Sequence, residues 1–282
     1  MIGDGIGVDA IRCDFDDPME GANITIRNGA IRNWANRGFN GDLSASARIS
    51  GLTVAECERG ITAGIASIIE DCTVVLVDEI GISAGVASVI RRCTVIQGAD
   101  IGIFMITSGV ISECVATNSG VGFDLYGAVA IHDSIADFNT TGIRHDGPAG
   151  LIKNCIVNNS TETGIQVDNN VRIEGCTIRS CLVDGIEAET SNHIVNNLIA
   201  DMQTQGAIGI CANGESNHIS GNHIVDCSNA MNLNASRNFA VQNTISGMGG
   251  VISANANNFV GPFLTATQLN MGQTNPHANF FH

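Results

Sequence analysis

A short phrase recurs along the chain: Ile-Glu-Asp-Cys-Thr-Val at 69–74, Ile-Arg-Arg-Cys-Thr-Val at 90–95 and Ile-Glu-Gly-Cys-Thr-Ile at 173–178. Its fourth position, taken as an anchor, recurs at Gly29, Leu52, Cys72, Cys93, Cys114, Ser134, Cys155, Cys176, Asn197, Asn222 and Asn243. The successive spacings are 23, 20, 21, 21, 20, 21, 21, 21, 25 and 21 residues. A second phrase, Gly followed by an apolar residue, keeps step with it at Gly60-Ile61, Gly81-Ile82, Gly102-Ile103, Gly122-Phe123, Gly142-Ile143, Gly164-Ile165, Gly185-Ile186 and Gly209-Ile210. Two phrases in register for that long define a repeat protein, in which no single unit can bury its own apolar face and each must stack on the next.

Within a repeat, β-branched runs alternate with period two and are separated by Gly, Asn, Ser and Asp, which is strand-and-turn text. A unit of about 21 residues with three short strands stacks at roughly 4.8 Å per turn, so eleven anchors predict a coil of about eleven turns and about 50 Å. The Leu-x-x-Leu-x-Leu consensus of leucine-rich repeats is absent. Charge narrows the partners: 13 Lys and Arg against 28 Asp and Glu give −15, and Lys153 is the only lysine. Such a surface lacks the basic footprint that nucleic acid requires and is repelled by anionic membranes. No run approaches the roughly 18 apolar residues of a membrane span, and Met1-Ile2-Gly3-Asp4 opens without a signal-peptide pattern.

With Ile219-Ser220-Gly221-Asn222-His223-Ile224 and the Gly-Ile strands on the page, the chain resembles the parallel β-helix repeats of the pectin-lyase-like superfamily, over about residues 24–255. The resemblance implies an all-β, right-handed parallel β-helix of ten to eleven turns and an extracellular or cell-surface setting. It further implies that Asn197, Asn222 and Asn243 form a stacked ladder at the bend between second and third strands, and that the Gly-Ile run is the first strand. We divide the chain into repeats at 1–255 and a capping tail at 256–282, whose Phe259, Val260, Phe263, Leu264, Phe280 and Phe281 suit a hydrophobic cap. The fold alone chooses no reaction.

Stacking turns each repeat position into a column. Cys72, Cys93, Cys114, Cys155 and Cys176 are expected as free core thiols, because vertical neighbours in parallel strands lie farther apart than a disulfide allows. On the Gly-Ile strand, alternation sends Ala84, Met105, Leu125, His145, Val167, Ala188, Ala212 and Leu233 inward. It sends Asp124, Tyr126, Arg144, Asp146, Gln166, Asp168, Glu187 and Glu189 outward. Carboxylates on adjacent turns are spaced for paired acid–base work on glycosides. Asp146, Asp168 and Glu187 are therefore candidates for acid, base or nucleophile, with Arg144 as an orienting cation and Asp124, Tyr126, Gln166 and Glu189 as substrate contacts. The same resemblance makes this face a saccharide groove, and the chain a carbohydrate-binding or carbohydrate-cleaving module, hydrolase or lyase. A lyase lacks its usual cluster of Lys and Arg here. A solvated acidic face is the plain alternative for these outward positions.

Asp146, Asp168 and Glu189, all hard oxygen donors, would favour Ca²⁺ over Zn²⁺. His145 points inward and reads as a core histidine despite its Arg-His-Asp context, while His193 and His218 occupy equal outward positions and should stack. Ile68, Val89, Val110, Ala130 and Leu151, with Val115, Ile135, Ile156 and Leu198, form outward apolar columns that suit a homo-oligomer such as a trimer. The rival to an enzyme is thus a non-catalytic structural or adhesive segment of a tail fibre or cell surface.

Overall fold

The computed structural model describes residues 9–13, 23–202, 204–247, 250–265 and 275–281. It is an all-β parallel solenoid of about eleven turns, and two compact units divide it at Arg144 and His145. Among the described residues there is no helix long and apolar enough to cross a membrane.

One turn of each unit shows how the sequence makes the coil. Around Cys93 the second strand is Val89–Arg91, the third Thr94–Gly98 and the first strand of the next turn Ile101–Ile106. Around Cys176 the corresponding strands are Arg172–Glu174, Thr177–Arg179 and Asp184–Ala188. Each pairs in parallel with its namesake one turn away. The corners are single left-handed residues: Ala87, Arg92 and Gln97 have φ of 59°, 51° and 58°, and Asn170, Gly175 and Ser180 have 57°, 67° and 55°. A non-glycine residue there costs roughly 1–2 kcal/mol, so the ladders and core must hold each corner against its own preference. The third position of the repeated phrase, Asp71, Arg92 or Gly175, is such a corner, and the buried anchor follows it.

Inside the first unit Ile61, Ile82, Ile103 and Phe123 stack in register, each almost fully buried. Ile165, Ile186, Ile210 and Met231 do so in the second. Burying one such side chain contributes about 1.5–3 kcal/mol. The preceding glycine is there for space: a Cβ on Gly81 would lie 2.4 Å from Val95 Cγ1 and 2.6 Å from the Gly102 oxygen.

Anchor residues line one bend, as expected, but differently in the two units. In the first, Leu52, Cys72, Cys93, Cys114 and Ser134 are buried and the thiols free. The Cys93 N–H points at Cys114 Sγ at 3.5 Å, and the Cys114 N–H donates to Ser134 Oγ at 3.2 Å. Hydrogen bonding within the stack, then burial, raises the pKa of Cys72 above that of an ordinary thiol. In the second, the N–H groups of Cys176, Asn197, Asn222 and Asn243 donate at 2.9–3.0 Å to the Oδ1 of Asn197, Asn222, Asn243 and Asn279. The Nδ2 groups of Asn197, Asn222 and Asn243 donate back to the carbonyls of Ile173, Ile194 and Ile219 at 3.1, 2.8 and 3.0 Å. A second amide ladder runs through Asn192, Asn217, Asn238 and Asn258 with bonds of 2.8–2.9 Å.

Several expectations are refined. Gly29 keeps register with Leu52 yet is exposed, having no side chain to bury. Ile68, Val89, Val110 and Ala130 do line up outward, but only Val110 among them is exposed. In the second unit the column passes from Leu151 to Arg172, His193, His218, Phe239 and Phe259, so the apolar stripe does not continue there. The tail's Asn279–Phe281 pairs with Thr244–Ser246 and with Phe263–Thr265, and Asn279 thereby supplies the next amide rung. Met1–Val8 and Asp14–Ala22 lie outside the described residues.

Candidate functional site

The outer face of the Gly-Ile strands is a stack of side chains set by register. In the first unit one column reads Asn40, Thr62, Ser83, Phe104 and Asp124, and a neighbouring one pairs Ile106 with Tyr126. A cleft of about 400 Å³ opens over Thr62, Ser83, Phe104 and Ile106, with Asp42 and Arg59 on its rim. The acids here are matched by guanidinium groups. Arg144 Nε and Nη2 donate to Asp124 Oδ1 and Oδ2 at 2.9 and 2.7 Å. Arg59 Nε donates to Glu79 Oε2 at 2.6 Å and holds that carboxyl below its usual pKa. Arg37 pairs with Asp42. Asp124 is buried, whereas Tyr126 stands 56% exposed.

The second unit treats its acids otherwise. Gln166, Glu187, Cys211 and Asn232 form one outward column. Asn213 Nδ2 donates to Glu187 Oε1 at 2.8 Å, and Asn234 Nδ2 donates to Asn213 Oδ1 at 2.8 Å. Asp184 begins the same strand as Glu187 and is 8% exposed. Burial, then the charge of Glu187, pushes its pKa up to about 6. Burial and Glu189 raise Glu187, against the Asn213 hydrogen bond that favours its charged form. Cys211, in register with Glu187 one turn on, is driven to about 12 by burial and then by the charges of Asp184, Glu187 and Glu189; it is a thiol, not a nucleophile, at neutral pH. All four cations among residues 145–282, Lys153, Arg172, Arg179 and Arg237, lie outside the Gly-Ile strands.

The residues singled out from sequence separate accordingly. Asp124 and Arg144 come together as a bidentate pair in the first unit. Gln166 and Glu187 are in register in the second, with Glu189 two residues on. Asp168 Oδ2 accepts the Gly147 N–H at 3.1 Å, and the Asp168 N–H donates to the His145 carbonyl at 3.1 Å; Asp146 is half-buried on the same arc. Among the described residues no three His, Cys, Asp or Glu side chains group as metal ligands would, Asp146, Asp168 and Glu189 included. His145 is fully buried, and a Cβ on Gly150 would come within 2.0 Å of its Nε2. His193 and His218 stack with ring centroids 5.7 Å apart, and the stack continues through Phe239 to Phe259.

Asp184 is the site residue that alternation missed. The signal was a column one place before the glycines, otherwise Ile80, Ile101, Val121 and Thr141 in the first unit and Thr163, Ile208 and Asn229 in the second. An aspartate is the odd member of that set.

Residues 129–261 match the model of a family described as a right handed beta helix region. Among solved structures, the A-module of the Azotobacter vinelandii mannuronan C-5 epimerase AlgE4 superposes with a TM-score of 0.65. That match is at 12% identity and covers 85% of this chain and 91% of that one. The AlgE6 A-module from the same organism gives 0.63 at 12% identity, covering 93% and 90%. A comparison with curated proteins found no match. What these likenesses establish is the fold, a right-handed parallel β-helix.

Proposed function

We propose that this chain is a carbohydrate-acting β-helix whose working surface is the outer face of its Gly-Ile strands, and that the second unit cleaves glycosides there with two carboxylates. The observation that carries the reading is the Asp184–Glu187 pair, two acids on one strand, both raised by burial, of which Glu187 accepts the Asn213 hydrogen bond. Asp184, buried beside a second acid, keeps its proton toward neutral pH and suits the general acid. Glu187, whose pKa burial and Glu189 also raise, accepts the Asn213 hydrogen bond that opposes this shift, and we assign it as the base or nucleophile. Gln166, Glu189, Asp146 and Asp168 flank them as substrate contacts. The Asp124–Arg144 pair, Tyr126 and the cleft over Phe104 suit saccharide binding in the first unit. The fold shared with two mannuronan epimerase modules is in keeping with such a role.

The test is a polysaccharide panel scored for new reducing ends and for unsaturated products. Hydrolysis abolished by both Asp184→Asn and Glu187→Gln supports the reading. Unsaturated products alone would shift the chemistry to elimination, and binding without cleavage would leave a non-catalytic module of the adhesive kind. Neither binding nor cleavage of any glycan removes the reading.

A further inference from the structure

The cleft of the first unit has a polar floor and an apolar wall, and register sets them side by side. Thr62 and Ser83 pair on adjacent turns, and Phe104 follows them one turn on. Thr62 is more than nine-tenths buried, yet its hydroxyl, like that of Ser83, makes no side-chain hydrogen bond among the described residues. Both are open to a ligand as donor and acceptor. Beside them Ile65, Val86 and Ile106 line the same cleft, and all three are exposed. Single exposed apolar side chains need no explanation, but three around one cavity mark a binding site. The rim is charged but self-matched: Arg59 is paired with Glu79 and Arg37 with Asp42. Farther along the face, Arg144 is held by both oxygens of Asp124.

Resting on the carbohydrate reading above, we propose that this cleft takes a neutral sugar that carries a methyl group, as a 6-deoxyhexose or an N-acetylhexosamine does. The Thr62 and Ser83 hydroxyls, about 4.8 Å apart by strand spacing, meet hydroxyls on one edge of the sugar. Its methyl lies against Ile65, Val86 and Ile106, and a C–H face of the ring covers Phe104. An unsubstituted hexose would instead turn a hydroxyl toward that apolar wall and leave it without a partner, which is costly. A uronate would bring its carboxylate to a rim where Arg59 and Arg37 already hold acids, so it gains no counter-charge and meets like charge. The cleft thus selects by what the sugar lacks in charge and by the methyl it adds.

Calorimetric titration and saturation-transfer NMR of the full chain with a rhamnose oligomer, an N-acetylglucosamine hexamer, cellohexaose and an oligomannuronate decide the matter. At least one of the first two should bind about tenfold more tightly than cellohexaose, and its methyl protons should receive the strongest saturation. Which of them does so identifies the source of the methyl. Phe104→Ala and Ile106→Ser should each remove that margin while circular dichroism stays β-rich, and Thr62→Val should weaken binding several-fold with the methyl contact kept. Tighter binding of cellohexaose or the oligomannuronate overturns this inference and leaves the carbohydrate reading standing, as does binding that Phe104→Ala and Ile106→Ser both leave unchanged. Binding of none of the four overturns it too, and the polysaccharide panel then decides the broader reading on its own.

Discussion

The two units share one turn but handle polar groups in opposite ways. Inside, the first fills its bend with Leu52, thiols and Ser134, while the second starts from the thiols Cys155 and Cys176 and passes to carboxamides that close two hydrogen bonds per rung. Outside, the first pairs Asp124 with Arg144 and Glu79 with Arg59, while among the described residues of the second no cation pairs with Asp184, Glu187 or Glu189. The unit that carries the amide ladder is thus also the one whose outer strand gathers acids unpaired by a cation among the described residues. Strain of that kind persists where the scaffold tolerates it, and it is a mark of functional sites.

The comparison breaks most readily at the ladders. Asn222→Ala strips acceptors from the buried Asn197 amide and a donor from Ile194, and should cost about 3–5 kcal/mol in urea unfolding. Cys93→Ala removes only a small side chain and should cost about 1–2 kcal/mol; equal losses would erase the distinction between the interiors. Next come the faces. Asp124→Asn should destabilise by about 2 kcal/mol, because it weakens the hold on the Arg144 guanidinium. Asp184→Asn should have the opposite sign and stabilise by about 1–2 kcal/mol at pH 7.5. The native carboxyl has its pKa raised to about 6, so the wild type loses stability as pH rises from the unfolded value near 4 through 6. The gain from the substitution should therefore fade on acidification and vanish below about pH 4, as melting curves across that range will show.

Smaller effects sharpen the picture. His218 has its pKa lowered by burial, then by His193 and Arg172, so its contribution is present above pH 6.5 and is lost as pH falls below that. His218→Phe should flatten this acid limb and leave the melting temperature above pH 7 nearly unchanged. Smallest of all, Leu76 sits at φ 57° with its side chain 46% exposed. Leu76→Asn should stabilise by about 0.5–1 kcal/mol in the same urea assay, since asparagine tolerates the left-handed region.

Much of this is legible in the sequence. The anchors, the Gly-Ile columns and the inward His145 follow from periodicity, because stacking makes a repeat position into a physical neighbourhood, while the first amide ladder came from the resemblance to parallel β-helix repeats. The second ladder through Asn192, Asn217 and Asn238 was just as periodic, but it sits among turn residues whose asparagines look like ordinary loop text. The corner residues were hidden because Ala87, Arg92 and Leu76 are poor left-handed formers by local preference, and only the assembled ladder overrides them. The site was the least legible part. Alternation says which way Asp124 and Glu187 point, but not that one meets a guanidinium and the other an amide. Asp184 lies one step outside the alternating run, where a burial argument was needed to find it.

The three corners also divide each repeat into a part that can change length and a part that cannot. Ser191, Asn196 and Asp201 are all left-handed, as are Ala66, Asp71 and Leu76, and both triplets keep the same offsets of five residues. The 25-residue interval between Asn197 and Asn222 is accommodated after Asp201, where Thr204–Ala207 forms a turn before the strand from Ile208. The 25-residue repeat thus takes its extra residues on the arc that borders the Gly-Ile strand, whereas the tail takes its own between Phe259–Val260 and Asn279–Phe281. Loops can be lengthened or exchanged beside the Gly-Ile face while the ladders keep their register, which makes that arc the place where new specificities could evolve or be grafted.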